Sequence, residues 1–124
     1  MSSAHDTPAS ENRVSDQRQT VAEDWFQQAY EDSRKGNHQA AIADYTQAIQ
    51  RAPKNSNFYY NRGIEHAAIG DRPAALNDYT QAIQLDKNFA DAFYNRANLH
   101  AAEGRKKPRS PTTKAPPSSI SSKA

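Results

Sequence analysis

Apolar residues recur at helical spacing along the middle of this chain, broken by short polar stretches. Trp25, Phe26, Ala29 and Tyr30 fall on one face of a first helix. Ala41, Ile42, Tyr45, Ala48 and Ile49 fall on one face of a second. Tyr59, Tyr60, Gly63 and Ile64 mark a third helix, and Ala75, Leu76, Tyr79, Ala82 and Ile83 mark a fourth. A fifth begins around Phe93 and Ala97. Gly36-Asn37 and Gly70-Asp71 stand between paired helices, where a left-handed glycine ends the first of the two. Pro53 ends the second helix because it has no N–H to continue the ladder, whereas Pro73 falls in a first turn, where that loss costs little.

The spacing is periodic at a longer scale too. Asp44-Tyr45-Thr46-Gln47-Ala48-Ile49-Gln50 recurs as Asp78-Tyr79-Thr80-Gln81-Ala82-Ile83-Gln84, an offset of 34 residues. The same offset joins Tyr60-Asn61-Arg62 to Tyr94-Asn95-Arg96, and it links Gly36, Gly70 and Gly104. A fixed period of this size is the signature of stacked helical hairpins, each burying the apolar face of its neighbour.

The first unit carries Trp25, Ala29, Gly36, Ala41, Tyr45, Ala48 and Pro53; the second carries Tyr59, Gly63, Gly70, Ala75, Tyr79 and Ala82; the third carries Phe93, Ala97 and Gly104 and then stops. In these residues the chain resembles the tetratricopeptide repeat family. The resemblance implies an all-α, right-handed helical-hairpin solenoid of two full repeats (about residues 22–55 and 56–89) plus one terminal helix (90–104). Lys87 stands where the family often has Pro. After Gly104 the expected partner helix is replaced by a run containing Pro108, Pro111, Pro116 and Pro117. Either the array is naturally short, or it belongs to a longer one interrupted near Gly104.

By the same resemblance, the first helix of each unit lines a concave groove. Its candidate residues are Phe26, Tyr30, Tyr60, Asn61, Ile64, Tyr94, Asn95 and Asn98, with Ser33 on the same face. Phe26, Tyr30, Tyr60 and Tyr94 are large, stiff contact groups of the kind enriched at binding hot spots. Asn61, Asn95 and Asn98 offer both donor and acceptor to a peptide backbone. The alternative is that some of the aromatics pack between helices. Chaperone-binding members of the family clamp a C-terminal carboxylate with Lys, Asn, Asn, Lys and Arg. The matching places here hold Phe26, Tyr30, Asn61, Asp91 and Asn95, of which only Asn61 agrees. A carboxylate beside Asp91 without those cations is repelled, so no such clamp is expected.

Arg62 and Arg96 repeat, as do Asp44 and Asp78, which points to an interhelical ion pair of Arg62 with Asp44 or Asp78. His66 and His100 also repeat, with Asp32 at the equivalent place in the first unit. Two imidazoles and a carboxylate form a metal-ligating set in principle. Packed helices lie about 8–10 Å apart, however, so a packing role is expected and no metal.

Composition sharpens the boundaries. The chain has 124 residues, of which 35% are hydrophobic, below the roughly 45–50% of an average globular domain. There is no cysteine, which excludes disulfides and thiolate chemistry. Residues 1–17 are polar, with Val14 their only branched aliphatic residue, and are expected to be disordered; the first helix is expected to begin between Ser15 and Thr20. Residues 18–104 form the repeat domain. Residues 105–124 hold six basic and no acidic residues and are expected to form a disordered, basic Pro/Ser-rich tail.

No Gly-rich phosphate loop and no catalytic constellation stand out, so the expectation is a non-enzymatic module without cofactor. Its expected partner is another protein, bound as an extended peptide or helix, and the chain itself is expected to be a monomer or weakly self-associating. A competing reading makes it a polyanion or nucleic-acid accessory factor acting through the tail. That tail lacks aromatics to stack on bases, which disfavours nucleic acid. With no apolar signal segment and no membrane-length apolar run, a soluble, cytoplasmic protein is expected.

Overall fold

The computed structural model describes the backbone of residues 3–106 and the side chains of residues 17–105. Every element in it is helical: α1 Ser3–Arg34, α2 His38–Arg51, α3 Ser56–Ala68, α4 Arg72–Leu85 and α5 Ala90–Lys106. Helices adjacent in sequence pack together, α1 on α2, α2 on α3, α3 on α4 and α4 on α5. The described residues thus form two helical hairpins and a fifth helix, in keeping with the period.

The hairpin turns follow from backbone accounting. At the end of α1 the Gly36 N–H donates to Ser33 O (2.9 Å) and the Asn37 N–H to Asp32 O (2.8 Å). At the end of α3 the Gly70 N–H donates to Ala67 O (3.0 Å) and the Asp71 N–H to His66 O (2.9 Å). This closure satisfies carbonyls the helix leaves open, and it needs a residue at positive φ. Gly36 (φ 83°) and Gly70 (φ 85°) supply it. Gly104 does not: α5 runs through it to Lys106. The expectation of a third helix stop there is corrected. The reversal has meaning only where the chain doubles back into a second helix, and α5 is followed by none among the described residues.

The links between repeats differ in chemistry. Ala52, which precedes Pro53, leaves the helical region at φ −139° and ends α2. The second link has no proline. There Asp86 leaves the helix at φ −138°, and its side chain accepts from the Asn88 N–H at 3.0 Å, an Asx turn in place of the proline. Asn55 and Asp71 cap α3 and α4 by accepting from Asn57 N–H (3.0 Å) and Ala74 N–H (3.2 Å).

One boundary departs from the sequence reading. The first helix begins at Ser3, earlier than the start expected between Ser15 and Thr20. Its first half carries no apolar stripe and includes Pro8; Ala4, Ala9, Glu11, Arg13 and Gln17 are good helix formers, but nothing in this stretch announces the helix. Most of the tail, from residue 107 onward, lies outside the described residues.

The core rests on small residues set against aromatic ones. Ala22, Ala29, Ala41, Ala48, Ala75, Ala82 and Ala92 are fully buried, and Tyr45 and Tyr79 are buried among the helices. Burial pushes both phenols up to about 12. The closest approach is at Gly63. A Cβ placed there would lie 2.8 Å from Tyr79 Cε1 and 3.2 Å from Asp78 Cβ, inside contact distance. The absence of a side chain on α3 is therefore what lets α4 approach.

The two interrepeat cores are filled differently. Phe26 of α1 packs on Tyr45 and on Phe58, with ring centroids 5.7 and 5.3 Å away. One repeat later Tyr60 packs on Tyr79 (5.9 Å), but the place of Phe58 is taken by Ala92. Phe89, one turn earlier, fills the space instead, 4.8 Å from Tyr60.

Candidate functional site

The first helices of the repeats, α1, α3 and α5, touch along one side. Phe26 reaches Phe58, Ser33 Oγ donates to Glu65 Oε2 (2.6 Å), and Asn95 Nδ2 donates to the Tyr60 hydroxyl (3.2 Å). The candidate groove residues divide along this side. Phe26 and Tyr60 are half-buried in the ring contacts above. Tyr30 and Tyr94 stay open, at 49% and 68% exposure. Asn98 is exposed, while Asn61 and Ile64 are half-buried. The Asn61 amide donates to Asn57 O (2.7 Å) along its own helix. Burial raises the Tyr60 phenol, and Asp91 adds to the shift, while the Asn95 hydrogen bond opposes it. The hydroxyl therefore stays neutral across the physiological range and accepts from Asn95.

Ser33, on the same face as the candidate groove residues, joins a latch that sequence reasoning missed. Glu65 of α3 is buried, at 3% exposure, and accepts from Ser33 at the end of α1. Its other oxygen lies 2.7 Å from His38 Nδ1 at the start of α2. Both ends of the first hairpin turn are thereby tied to the second repeat. A buried carboxylate is tolerated only with such partners. At the next junction a longer pair, Arg72 Nη1 to Glu103 Oε2 at 3.8 Å, links α4 to α5.

The repeated Arg and Asp do meet, and the structure selects Asp78 for Arg62. The guanidinium donates through Nε to Asp78 Oδ2 and through Nη2 to Asp78 Oδ1, both at 2.8 Å, and through Nη1 to Thr46 Oγ1 at 3.1 Å. It also stacks on the Tyr59 ring, 5.9 Å from the centroid. The hydrogen bond to Asp78 holds the Arg62 guanidinium above its ordinary value, against the cost of burial. His66 Nε2 lies 3.8 Å from the same carboxylate, while its buried Nδ1 has no hydrogen-bond partner among the described residues. Among the described residues no group of His, Cys, Asp and Glu is arranged to hold a metal ion.

In the first repeat the arginine is absent, since Gln28 stands 34 residues before Arg62. Asp44 faces Asp32 instead. Burial, then the hydrogen bond and the charge of Asp32, raise the Asp44 carboxyl from 3.8 to about 6. A folded-state value raised above the unfolded one favours the protonated form, so Asp44 supports the fold fully at low pH. That support is lost as pH rises through about 6. Asp44→Asn is expected to raise the melting temperature near pH 7 and to leave it unchanged near pH 4. Melts across this range check it, and an equal effect at both ends would refute the assignment.

A surface cavity of about 660 Å3 shares no residue with the candidate groove; it is lined by Arg18 and Gln19 of α1, Arg51 of α2, Pro53 and Lys54 of the following link and Ser56 of α3. Arg51 is braced by Gln47, donating to its backbone and side-chain oxygens at 3.0 and 2.7 Å, and lies over the Trp25 ring. Apart from Pro53 and Trp25, these residues did not stand out in the sequence, because they come together only through the tertiary fold.

Stacked helical hairpins with a glycine reversal and an alanine-aromatic interior define a helical-repeat solenoid. The chain belongs to the tetratricopeptide repeat family: the pattern described as "Tetratricopeptide repeat" matches residues 22–55, and that described as "TPR repeat" matches residues 65–104. No curated protein sequence matches the chain. Among solved structures it is similar to the second TPR of Spaghetti (RPAP3) bound to the HSP90 peptide SRMEEVD. The TM-score is 0.71 at 26% identity, covering 75% of this chain and 85% of that one. It also shares its fold with MamA, at TM-score 0.67 and 22% identity, covering 69% of this chain and 50% of that one. The chain thus spans about half the length of MamA. No described helix is long and apolar enough to cross a membrane.

Proposed function

We propose that this chain is a non-enzymatic protein-interaction module that receives a peptide or helix of a partner along the α1–α3–α5 side. One observation carries the reading. Tyr30 and Tyr94 stand open on that side although the rest of the aromatic set is packed. Tyr offers rigid, amphipathic contact area at a low cost in conformational entropy, and such residues dominate binding energies. Asn98, one turn after Tyr94 on α5, adds a donor and an acceptor for a peptide backbone.

The relative that holds an HSP90 peptide supports peptide capture as the mode, but not that ligand. Here the places of a carboxylate clamp hold Phe26, which is committed to ring packing, and the exposed acid Asp91. SRMEEVD is expected to show no saturable binding.

Peptides selected from a random display library against the full chain are expected to lose at least about tenfold in affinity on Tyr30→Ala with Tyr94→Ala, about 1.4 kcal/mol. Isothermal titration checks this, and unchanged affinity excludes the groove. Truncation after Lys106 is expected to leave the affinity intact; its loss would move the function to the basic tail.

A further inference from the structure

The repeat supplies a template for what α5 lacks. On α3, Arg62 donates to Thr46 of the preceding helix and directs Nε and Nη2 at Asp78 of the following one. On α5, 34 residues later, Arg96 donates through Nη1 to Thr80 at the same 3.1 Å and stacks on Phe93 at 5.5 Å, as Arg62 does on Tyr59. The guanidinium is therefore held as in the complete repeat. Among the described residues, its Nε and Nη2 meet no carboxylate.

The surface around Arg96 is open. Phe93 is 42% exposed where its counterpart Tyr59 is buried, and Ala97 and His100 are exposed where Gly63 is buried and His66 half-buried. Ala97 is no obstacle to a helix with an aromatic residue. In the first repeat Ala29 holds the equivalent place, fully buried against Tyr45.

We propose that this face of α5 docks a helix from another protein, one carrying a carboxylate followed by an aromatic residue, as Asp78-Tyr79 does on α4. The carboxylate seats in the Arg96 fork with His100 beside it, and the aromatic ring covers Ala97. This site is separate from the groove proposed above and does not depend on it. Residues 107–124 contain no Asp or Glu, and Thr112 stands where the repeat would place the acid. Nor does a second copy offer it. Its two Asp-Tyr pairs are used internally, with Tyr45, Asp78 and Tyr79 at 1–2% exposure. Two α5 faces brought together would set Arg96 against Arg96.

The probe is a fluorescent peptide of residues 71–86, stapled as a helix across the exposed Asn77 and Gln84. It is titrated against the full chain by anisotropy. Saturable binding is expected. It should weaken at least about tenfold for Arg96→Gln in the protein or Asp78→Asn in the peptide, with no further loss when the two are combined. Tyr30→Ala should leave it unchanged, which separates failure here from failure of the groove. A thermal melt of the Arg96→Gln protein matching the parent shows that the fold is kept. No saturable binding, or binding indifferent to both substitutions, overturns the proposal. Binding lost with Tyr30→Ala and kept with Arg96→Gln places the peptide in the groove, which also overturns it. So does a dimer in sedimentation that Arg96→Gln dissolves, since a second copy would then hold the face.

Discussion

Asp78→Ala is expected to lower the stability of the chain by about 3 kcal/mol, because it strands a guanidinium that was positioned to be neutralised. Asp78 is 2% exposed and receives both forks of Arg62, with His66 close behind. The cost comes from the partner left behind more than from the bond removed. The double variant Arg62→Met, Asp78→Leu is therefore expected to recover much of the loss, since it removes both charges and fills the space with apolar atoms. Urea unfolding of the single and double variants measures the coupling. Additive effects would mean that the two residues act independently, against the geometry.

Gly63→Val is expected to cost about as much, roughly 3 kcal/mol, for a steric reason. The new Cβ would fall 2.8 Å from the Tyr79 ring, and Tyr79 is itself enclosed, so the helices must separate or the ring must leave its place. The internal repeat supplies a matched control. Ala97 occupies the corresponding place on α5, where among the described residues no following helix packs, and Ala97→Val is expected to cost under about 1 kcal/mol, the size of a helix-propensity difference. Thermal melts of the two variants side by side distinguish helix–helix contact from propensity. Comparable losses at both positions would show that Gly63 does not set the α3–α4 distance.

What was legible in the sequence was whatever occurred twice. The hairpin glycines, the alanine-tyrosine interior and the Arg–Asp pair all announced themselves by recurring at one offset. The Glu65 latch did not, because its partners do not repeat: Ala67 stands 34 residues after Ser33 and Arg72 34 after His38, so the recurrence of Glu31 and Glu65 alone marks no buried copy. The groove was half legible. Helical spacing placed Phe26, Tyr30, Tyr60 and Tyr94 on first helices, but an aromatic at the border of an amphipathic stripe can turn inward or outward. The neighbour decides: Phe58 draws in Phe26, and Phe89 draws in Tyr60, while Tyr30 and Tyr94 have no ring contact among the described residues. The early start of α1 was hidden for the opposite reason, since its first half carries no apolar periodicity to read.

The exchange between Phe58 and Phe89 bears on how such a chain could grow or be rearranged. If the second unit were copied and inserted after itself with a cut at Ala90, the copy would begin from the Asn55–Phe58 side of the junction. Phe89 would then sit in the linker beside the newcomer's Phe58, two rings competing for a space that holds one. A cut placed before Phe89, with Ala92 carried along, keeps the pair together. The natural unit of exchange is therefore set by where the compensating ring lies, and it is out of step with the start of α5 by one residue.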